Sequence, residues 1–355
     1  MSQSETQTSL SVSIIIPVHR IDKAFNECIN SVINALRMGD ELIVIADGID
    51  IKTLSFLSER KIKILSTGKI SGPAIARNLG GQAAKGDLLF FVDSDVTIPS
   101  DTIKNLITFF ADEEISAIIG SYDDSPSAPN VISQYKNLFH HYVHQSSKEN
   151  ASTFWGACGI IRKDIFIAIG GYDENYAQPS IEDIDLGYKI INAGHKILLC
   201  KSLQVKHFKK WSFTSLIKTD FFNRAIPWTK LMFHNNRFLN DLNLKNTSRI
   251  SVVIIFLFLF FLIGSFWIKD LLILTGISGL SLLIINYPFY SFFHKKKGLL
   301  FALRVIPLHW LYFFYSGIAF GFGAILFKME SLSNHKIKPL PAYLRKPIED
   351  PQKYS

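Results

Sequence analysis

The sequence is short of cysteine. Its three, Cys28, Cys158 and Cys200, are odd in number and scattered through 355 residues. That argues against a disulfide framework and for a reducing compartment. No internal repeat and no low-complexity linker interrupts the chain. The opening MSQSETQTSL is polar where a secretory leader would be apolar, and strand-like SVSIII follows directly, so no cleaved leader is expected.

Charge is also missing, but only locally. Residues 250–268 and 271–293 carry none, and 299–327 carries only Arg304. Each run can cross roughly 30 Å of hydrocarbon. A buried core helix would keep a polar side, and these keep little, which explains a hydrophobic content of 48%. Membrane helices are expected near 250–268, 271–293 and 301–327. Arg304 and Pro307 leave open an interfacial helix plus a shorter hairpin for the third. Three spans place the polar tail, 328–355, outside, although Lys336, Lys338, Arg345 and Lys346 favour the inside.

The net charge of +8 is unevenly distributed. Residues 1–200 hold 17 basic and 24 acidic side chains, or −7. Residues 201–249 hold 10 and 2, or +8, and residues 250–355 hold 11 and 4, or +7. The basic block precedes the first apolar run, where Lys and Arg mark a cytoplasmic flank and attract anionic lipid. A membrane neighbour accounts for it, so no nucleic acid is expected. The oligomeric state is not legible.

The first 210 residues alternate short apolar runs with amphipathic stretches. Residues 11–16, 41–46, 61–65, 88–92 and 115–120 predict strands, and 22–37, 51–59, 73–84 and 101–112 predict helices. This βαβα rhythm predicts a mainly parallel sheet covered on both faces, with ligands beyond the carboxyl ends of its strands. Pro17 and Val18, then Asp47, then Asp93 and Asp95, all fall at such ends. Asp-x-Asp alone says little: with 19 Asp in the chain, chance supplies about one, and two occur, at Asp93/Asp95 and Asp183/Asp185. The stretch FFVDSDV is different in context, because an apolar strand delivers both carboxylates to one point.

Residue order and spacing then reach a family. SIIIPVHR, ELIVIADGID, GPAIARNLGGQAAKGDLLFFVDSDV, FWGACGIIRKDIF and GGYDENYAQPSIEDIDLGYKIINAGHKI resemble the family 2 glycosyltransferases over roughly residues 11–210. The resemblance implies an α/β fold of the GT-A type, a nucleotide-sugar donor, a divalent Mg²⁺ or Mn²⁺, and inversion at the anomeric carbon. The chemistry agrees, since a departing nucleoside diphosphate concentrates negative charge that a hard cation on oxygen ligands offsets.

Residue by residue, the resemblance puts Asp95 on the metal and Asp93 on the ribose or, through water, the metal. His207 is a third metal candidate or a surface histidine. Pro17, Val18, Asp47, Arg77 and Arg224 fall to the donor. Trp155, Glu182 and Trp228 fall to the acceptor, with Trp228 equally suited to a membrane interface. Before the glycine at 48 the family usually has two acids, whereas this chain has Ala46-Asp47, so the base is held by Asp47 alone or by backbone near Pro17, with Asp50 as a substitute. Processive members carry Gln-x-x-Arg-Trp where this chain has Arg224 and Trp228 separated by Ala-Ile-Pro, so polymer synthesis and secretion are not expected.

Asp183 is the expected catalytic base. The alternative is local: Ser180-Ile181-Glu182-Asp183 has the form of a capping box, with Ile181, Ile184, Tyr188 and Ile191 on the buried helix face. The expected organisation is a flexible 1–10, a glycosyltransferase domain at 11–210, a basic interfacial segment at 211–249, membrane helices at 250–327 and the tail. The expected protein is integral to the inner or plasma membrane with a cytoplasmic catalytic domain. It moves a sugar from a UDP- or GDP-sugar to a membrane-associated acceptor such as a polyprenyl phosphate or glycolipid precursor. A soluble or protein acceptor, or a catalytically silent scaffold, stays open.

Overall fold

A computed structural model describes residues 10–58, 60, 62–238 and 241–333. The expected flexible start and most of the polar tail lie outside the described residues. The described residues form two compact units, one from 10–128 and 148–210, the other from 129–147 and 211–333.

In the first unit nine strands are described: β1 Val12–Val18, β2 Glu41–Ala46, β3 Lys63–Ser66, β4 Leu88–Val92, β5 Val96–Thr97, β6 Ile115–Tyr122, β7 Asn150–Ala151, β8 Cys158–Arg162 and β9 Lys196–His207. They run in the order β3-β2-β1-β4-β8-β6-β9-β5, with β7 beside β9. The first four in that row are parallel, with Ile16 opposite Val44 and Ile15 opposite Phe91. β8 is inserted antiparallel between β4 and β6, and β6 and β9 are parallel again. Runs such as LLFFV, and VSIIIPV apart from Ser13, can be apolar throughout because both faces are covered. Phe25, Cys28 and Val32 of helix Lys23–Ala35 and Ile103 and Leu106 of helix Thr102–Phe109 fill one face. Ala74 and Ala76 of helix Pro73–Ala83, with Phe166, Leu186 and Ile190, fill the other.

This topology gathers one edge. β1, β2 and β4 end there, and β6 and β9 end there too. β8 runs the opposite way, so it begins at that edge, with Cys158 opposite Val92. The turn before β8, residues 155–157, therefore lies beside the loop after β4.

The second unit is helical among the described residues. Helix Asn246–Gly264 and helix Leu271–Ile285 are followed by Tyr287–Lys297 and by Leu299–Ser333. Helices 246–264 and 299–333 are each long and apolar enough to cross a membrane. The second expected span is instead a pair, 271–285 and 287–297, bent by 63°. Asn286, whose amide donates to Ser251 Oγ and to the Leu282 carbonyl, and Pro288 mark the break. The third run is one continuous helix with Pro307 inside it, so the hairpin alternative does not form. Helix Val131–Gln145, which the apolar rhythm did not announce, belongs to this unit. Its buried Lys136 donates to both Asp220 oxygens at 2.7 Å, and Tyr315 donates to Asp220 Oδ2 at 2.8 Å.

Candidate active site

Asp47 follows β2 and is committed to the fold around it. Its Oδ1 accepts from the Ser71 N–H at 2.7 Å and the Thr67 hydroxyl at 2.9 Å, and its Oδ2 accepts from the Gly72 N–H at 3.0 Å. The loop that enters helix 73–83 is thus tied to the end of β2. Gly72 sits at φ +91°, and a Cβ there would lie 2.5 Å from the Ala177 carbonyl oxygen, so no other residue fits. Val18 is fully buried, and its carbonyl accepts from the Asp47 N–H at 2.8 Å. Pro17 beside it is half-buried.

Arg77 projects from helix 73–83 and is almost wholly buried. One nitrogen donates to Asp93 Oδ1 at 2.7 Å, the other to Glu182 Oε1 at 3.0 Å. The guanidinium carbon lies 5.3 Å from the centre of the Tyr172 ring. Burial works against its charge, but Asp93, Tyr172 and Glu182 outweigh it and raise its pKa. Gly156 permits this placement: a Cβ there would come within 2.9 Å of the guanidinium. Arg77 therefore joins the loop after β4 to helix Glu182–Asn192.

The capping-box reading of that helix is corrected here. Ile181, not Ser180, is the N-cap, and its side chain makes no cap bond. Glu182 Oε2 instead reaches back to the Ser180 N–H at 2.8 Å. Of the expected stripe, Ile181 and Tyr188 are buried while Ile184 and Ile191 are only partly so, and Leu186 and Ile190 are buried beside them. Asp183 Oδ2 accepts from the Gly156 N–H at 3.3 Å and Oδ1 from the Ile184 N–H at 2.8 Å. Asp185 points elsewhere; burial pushes its pKa up to about 6, opposed by Lys189 and aided by Asp173.

The turn before β8 holds the Asp183 carboxylate and the backbone of Asp93. Gly156 donates to Asp183, while the Ala157 carbonyl accepts from the Asp93 N–H at 3.3 Å. The half-buried Trp155 lies edge-on to Tyr122, ring centres 4.6 Å apart at 77°. Tyr122 stacks on His207 at 4.4 Å and 4°. His207, the last residue of β9, presents Nε2 to Asp95 Oδ2 at 3.4 Å. Burial disfavours the charge on Asp95, yet His207 and Lys209 outweigh it and keep its pKa below the ordinary value.

Among the described residues no group of three or more His, Cys, Asp or Glu side chains forms a ready-made metal cluster. Asp95 and His207 do face each other, and Asp93 is drawn aside by Arg77. A carboxylate and an imidazole suit a divalent cation that takes its remaining ligands from water and a diphosphate, so the donor set fits such an ion. Of the remaining expected residues, Arg224 and Trp228 lie in the second unit. Arg224 sits in a π-helical stretch, Thr219–Ala225, 3.4 Å from His140 Nε2, and Trp228 follows in helix Ile226–His234. Sequence reasoning missed Tyr122, Tyr172 and Gly156 as organisers. Gly156 and Tyr172 fall within stretches that carried the resemblance, but Tyr122 lies two residues beyond the expected strand 115–120 and carried no signal.

Residues 13–170 match the family described as "Glycosyl transferase family 2". An uncharacterized glycosyltransferase of Haemophilus influenzae is 32% identical over 116 residues, 31% of this chain and 46% of that protein. The O-antigen chain rhamnosyltransferase RfbN of Salmonella typhimurium is 24% identical over 241 residues, 63% of this chain and 76% of its own. The chain thus spans about half the length of the first relative and three quarters of the second. Among solved structures, Staphylococcus aureus TarS 1–349 in complex with UDP-GlcNAc overlays with a TM-score of 0.50 at 17% identity, covering 65% of this chain and 67% of that one. That likeness is one of fold.

Proposed function

We propose, from the match of residues 13–170 to glycosyl transferase family 2, that this protein is a membrane-bound inverting glycosyltransferase. It takes a sugar from a UDP- or GDP-sugar and passes it to a membrane-associated acceptor, a polyprenyl phosphate or a glycolipid precursor. The observation that carries this reading is the meeting of two carboxylate groups at one sheet edge. Asp93 and Asp95 leave β4, Asp183 opens helix 182–192, and Arg77 and the turn 155–157 hold the two groups in register.

In this reading Asp95 and His207 would hold Mg²⁺ or Mn²⁺, and the ion would supply positive charge to the donor's diphosphate. Asp93 keeps its other oxygen for the donor's ribose or for a water on the ion. Asp47 shapes the nucleoside end indirectly, by fixing the loop 67–72 at the end of β2. Arg77 acts on the donor through Asp93, because its own guanidinium is buried. Asp183 accepts the proton of the acceptor hydroxyl as that oxygen attacks the anomeric carbon from the face opposite the leaving group. The Gly156 N–H orients it for that task. Where the acceptor is a phosphate, proton removal matters less and Asp183 orients the nucleophile. Trp155 and Glu182 serve the acceptor side, Glu182 by seating the helix that bears Asp183. Within the second unit, Arg224 offers a cation to a phosphate and Trp228 a ring to an acceptor or the membrane interface.

Two helices of span length support a membrane anchor. The basic residues ahead of them support a cytoplasmic catalytic unit, on the side where nucleotide sugars are made. A lipid acceptor is the simplest reason for such a tether, since confinement at the surface aligns the partners. Comparing membrane glycolipids by mass spectrometry in cells with and without the protein tests the reading. One species should shift by the mass of a single sugar, and an unchanged lipid profile beside a changed protein glycoform would move the acceptor to the alternative class.

A further inference from the structure

We propose that Tyr122 is a positioning residue for the metal site, fixing the plane of the His207 imidazole so that Nε2 stays turned toward Asp95. This rests on the metal reading above. The geometry is that of neighbouring strands. Tyr122 ends β6 opposite Val205 of β9, and His207 lies two residues beyond Val205. Side chains two apart in a strand share a face, and a diagonal partner on the next strand lies within reach of an aromatic ring. The two rings accordingly stack, 4.4 Å apart and 4° from parallel, with both residues buried.

The stacking matters because His207 is the final residue of its strand. The last torsion of a histidine is broad, and the ladder pairing of His207 with Val96 of β5 fixes its backbone rather than its ring. The imidazole lone pair lies in the ring plane, so tilting the ring takes the lone pair off the ion. Tyr122 blocks that tilt along one ring face. Trp155 meets Tyr122 edge-on at 4.6 Å and 77°, which keeps the tyrosine from turning. Its peptide neighbour Gly156 holds Asp183. One aromatic row thus connects the imidazole to the turn that carries the base.

The test is Mn²⁺ affinity measured by calorimetry on the full chain in detergent, with saturating UDP or, where UDP does not bind, GDP. Groups that orient a ligating histidine typically matter by about 10–100-fold in metal affinity. Tyr122→Leu should weaken Mn²⁺ binding by that order. Tyr122→Phe, which keeps the ring, should stay within about twofold, far inside that range. Adding Tyr122→Leu to His207→Ala should cost nothing more, because the tyrosine acts through the histidine. If His207→Ala weakens binding and Tyr122→Leu does not, the proposal fails while the metal reading stands. If His207→Ala itself leaves Mn²⁺ affinity unchanged, the metal role of His207 fails and takes the proposal with it. Where the leucine variant does not fold, Tyr122→Met, longer and more adaptable than leucine but without a flat ring, carries the same comparison. Failure of both to fold beside a normal phenylalanine variant would make Tyr122 a core residue and overturn the proposal.

Discussion

Replacing Arg77 by methionine separates two accounts of that residue. Sequence resemblance gives it to the donor, whereas its placement makes it a clamp between Asp93 and Glu182. The Glu182 arm is the costly one to break: the pair meets at 3.0 Å, with side-chain exposures of 5% and 6%. The Asp93 side chain is 32% exposed, so water screens its loss and that arm counts for less. Removing one partner of a buried ion pair costs about 3–5 kcal/mol. At about 2–4 °C per kcal/mol for a unit of this size, Arg77→Met should melt roughly 6–20 °C lower. Arg77→Lys keeps the charge but serves only one arm, so it should fall between. Thermal unfolding of the detergent-solubilised chain, followed by tryptophan fluorescence, reads this directly, with nucleotide affinity measured on the same sample below the transition. A variant that melts within about 2 °C of wild type, well under the clamp's predicted cost, yet no longer binds nucleotide would refute the clamp and restore the direct donor contact.

Asp95→Ala should abolish the metal-dependent part of nucleotide binding, and unchanged metal-dependent affinity in calorimetry would remove Asp95 from the site. Lys136→Met strands Asp220 in the second unit and should destabilise that unit by about 3–5 kcal/mol, whereas a melt indistinguishable from wild type would make the pair incidental. Burial pushes the Asp185 pKa up to about 6 from an ordinary carboxylate value of 3.8. The folded state therefore holds its proton longer, so this group's contribution to stability is full below about pH 4 and is lost as pH rises through about 6. Asp185→Asn should flatten that segment of the melting-temperature profile, and an unaltered profile would contradict the assigned cause.

Much of the first unit was legible because its signals are local. Five apolar runs announced five strands of the sheet, β1, β2, β3, β4 and β6, and their order announced parallel pairing. The carboxylates at strand ends followed from that topology. What the sequence hid depends on long-range neighbours. The antiparallel β8 could not be recognised from CGIIR, yet it brings Gly156 to Asp183 and Ala157 to Asp93. Ser180-Ile181-Glu182-Asp183 satisfied a capping pattern, but Arg77, 105 residues earlier, draws Glu182 into another role. The uncharged run 271–293 was long enough to span, and Asn286-Tyr287-Pro288 bends it by 63°. Length and hydropathy do not register such a break.

Release of nucleoside diphosphate from a panel of UDP- and GDP-sugars, by the full chain in acceptor-bearing membranes, tests the central claim most directly. The account predicts turnover of a donor in the presence of Mn²⁺ or Mg²⁺, lost on chelation. Asp183→Asn keeps an oxygen for the Ile184 N–H and preserves donor affinity, while transfer to a hydroxyl acceptor falls by about 10²–10⁴. Release from no donor, or an Asp183→Asn rate within about threefold of wild type, far short of the loss of a base, would contradict it.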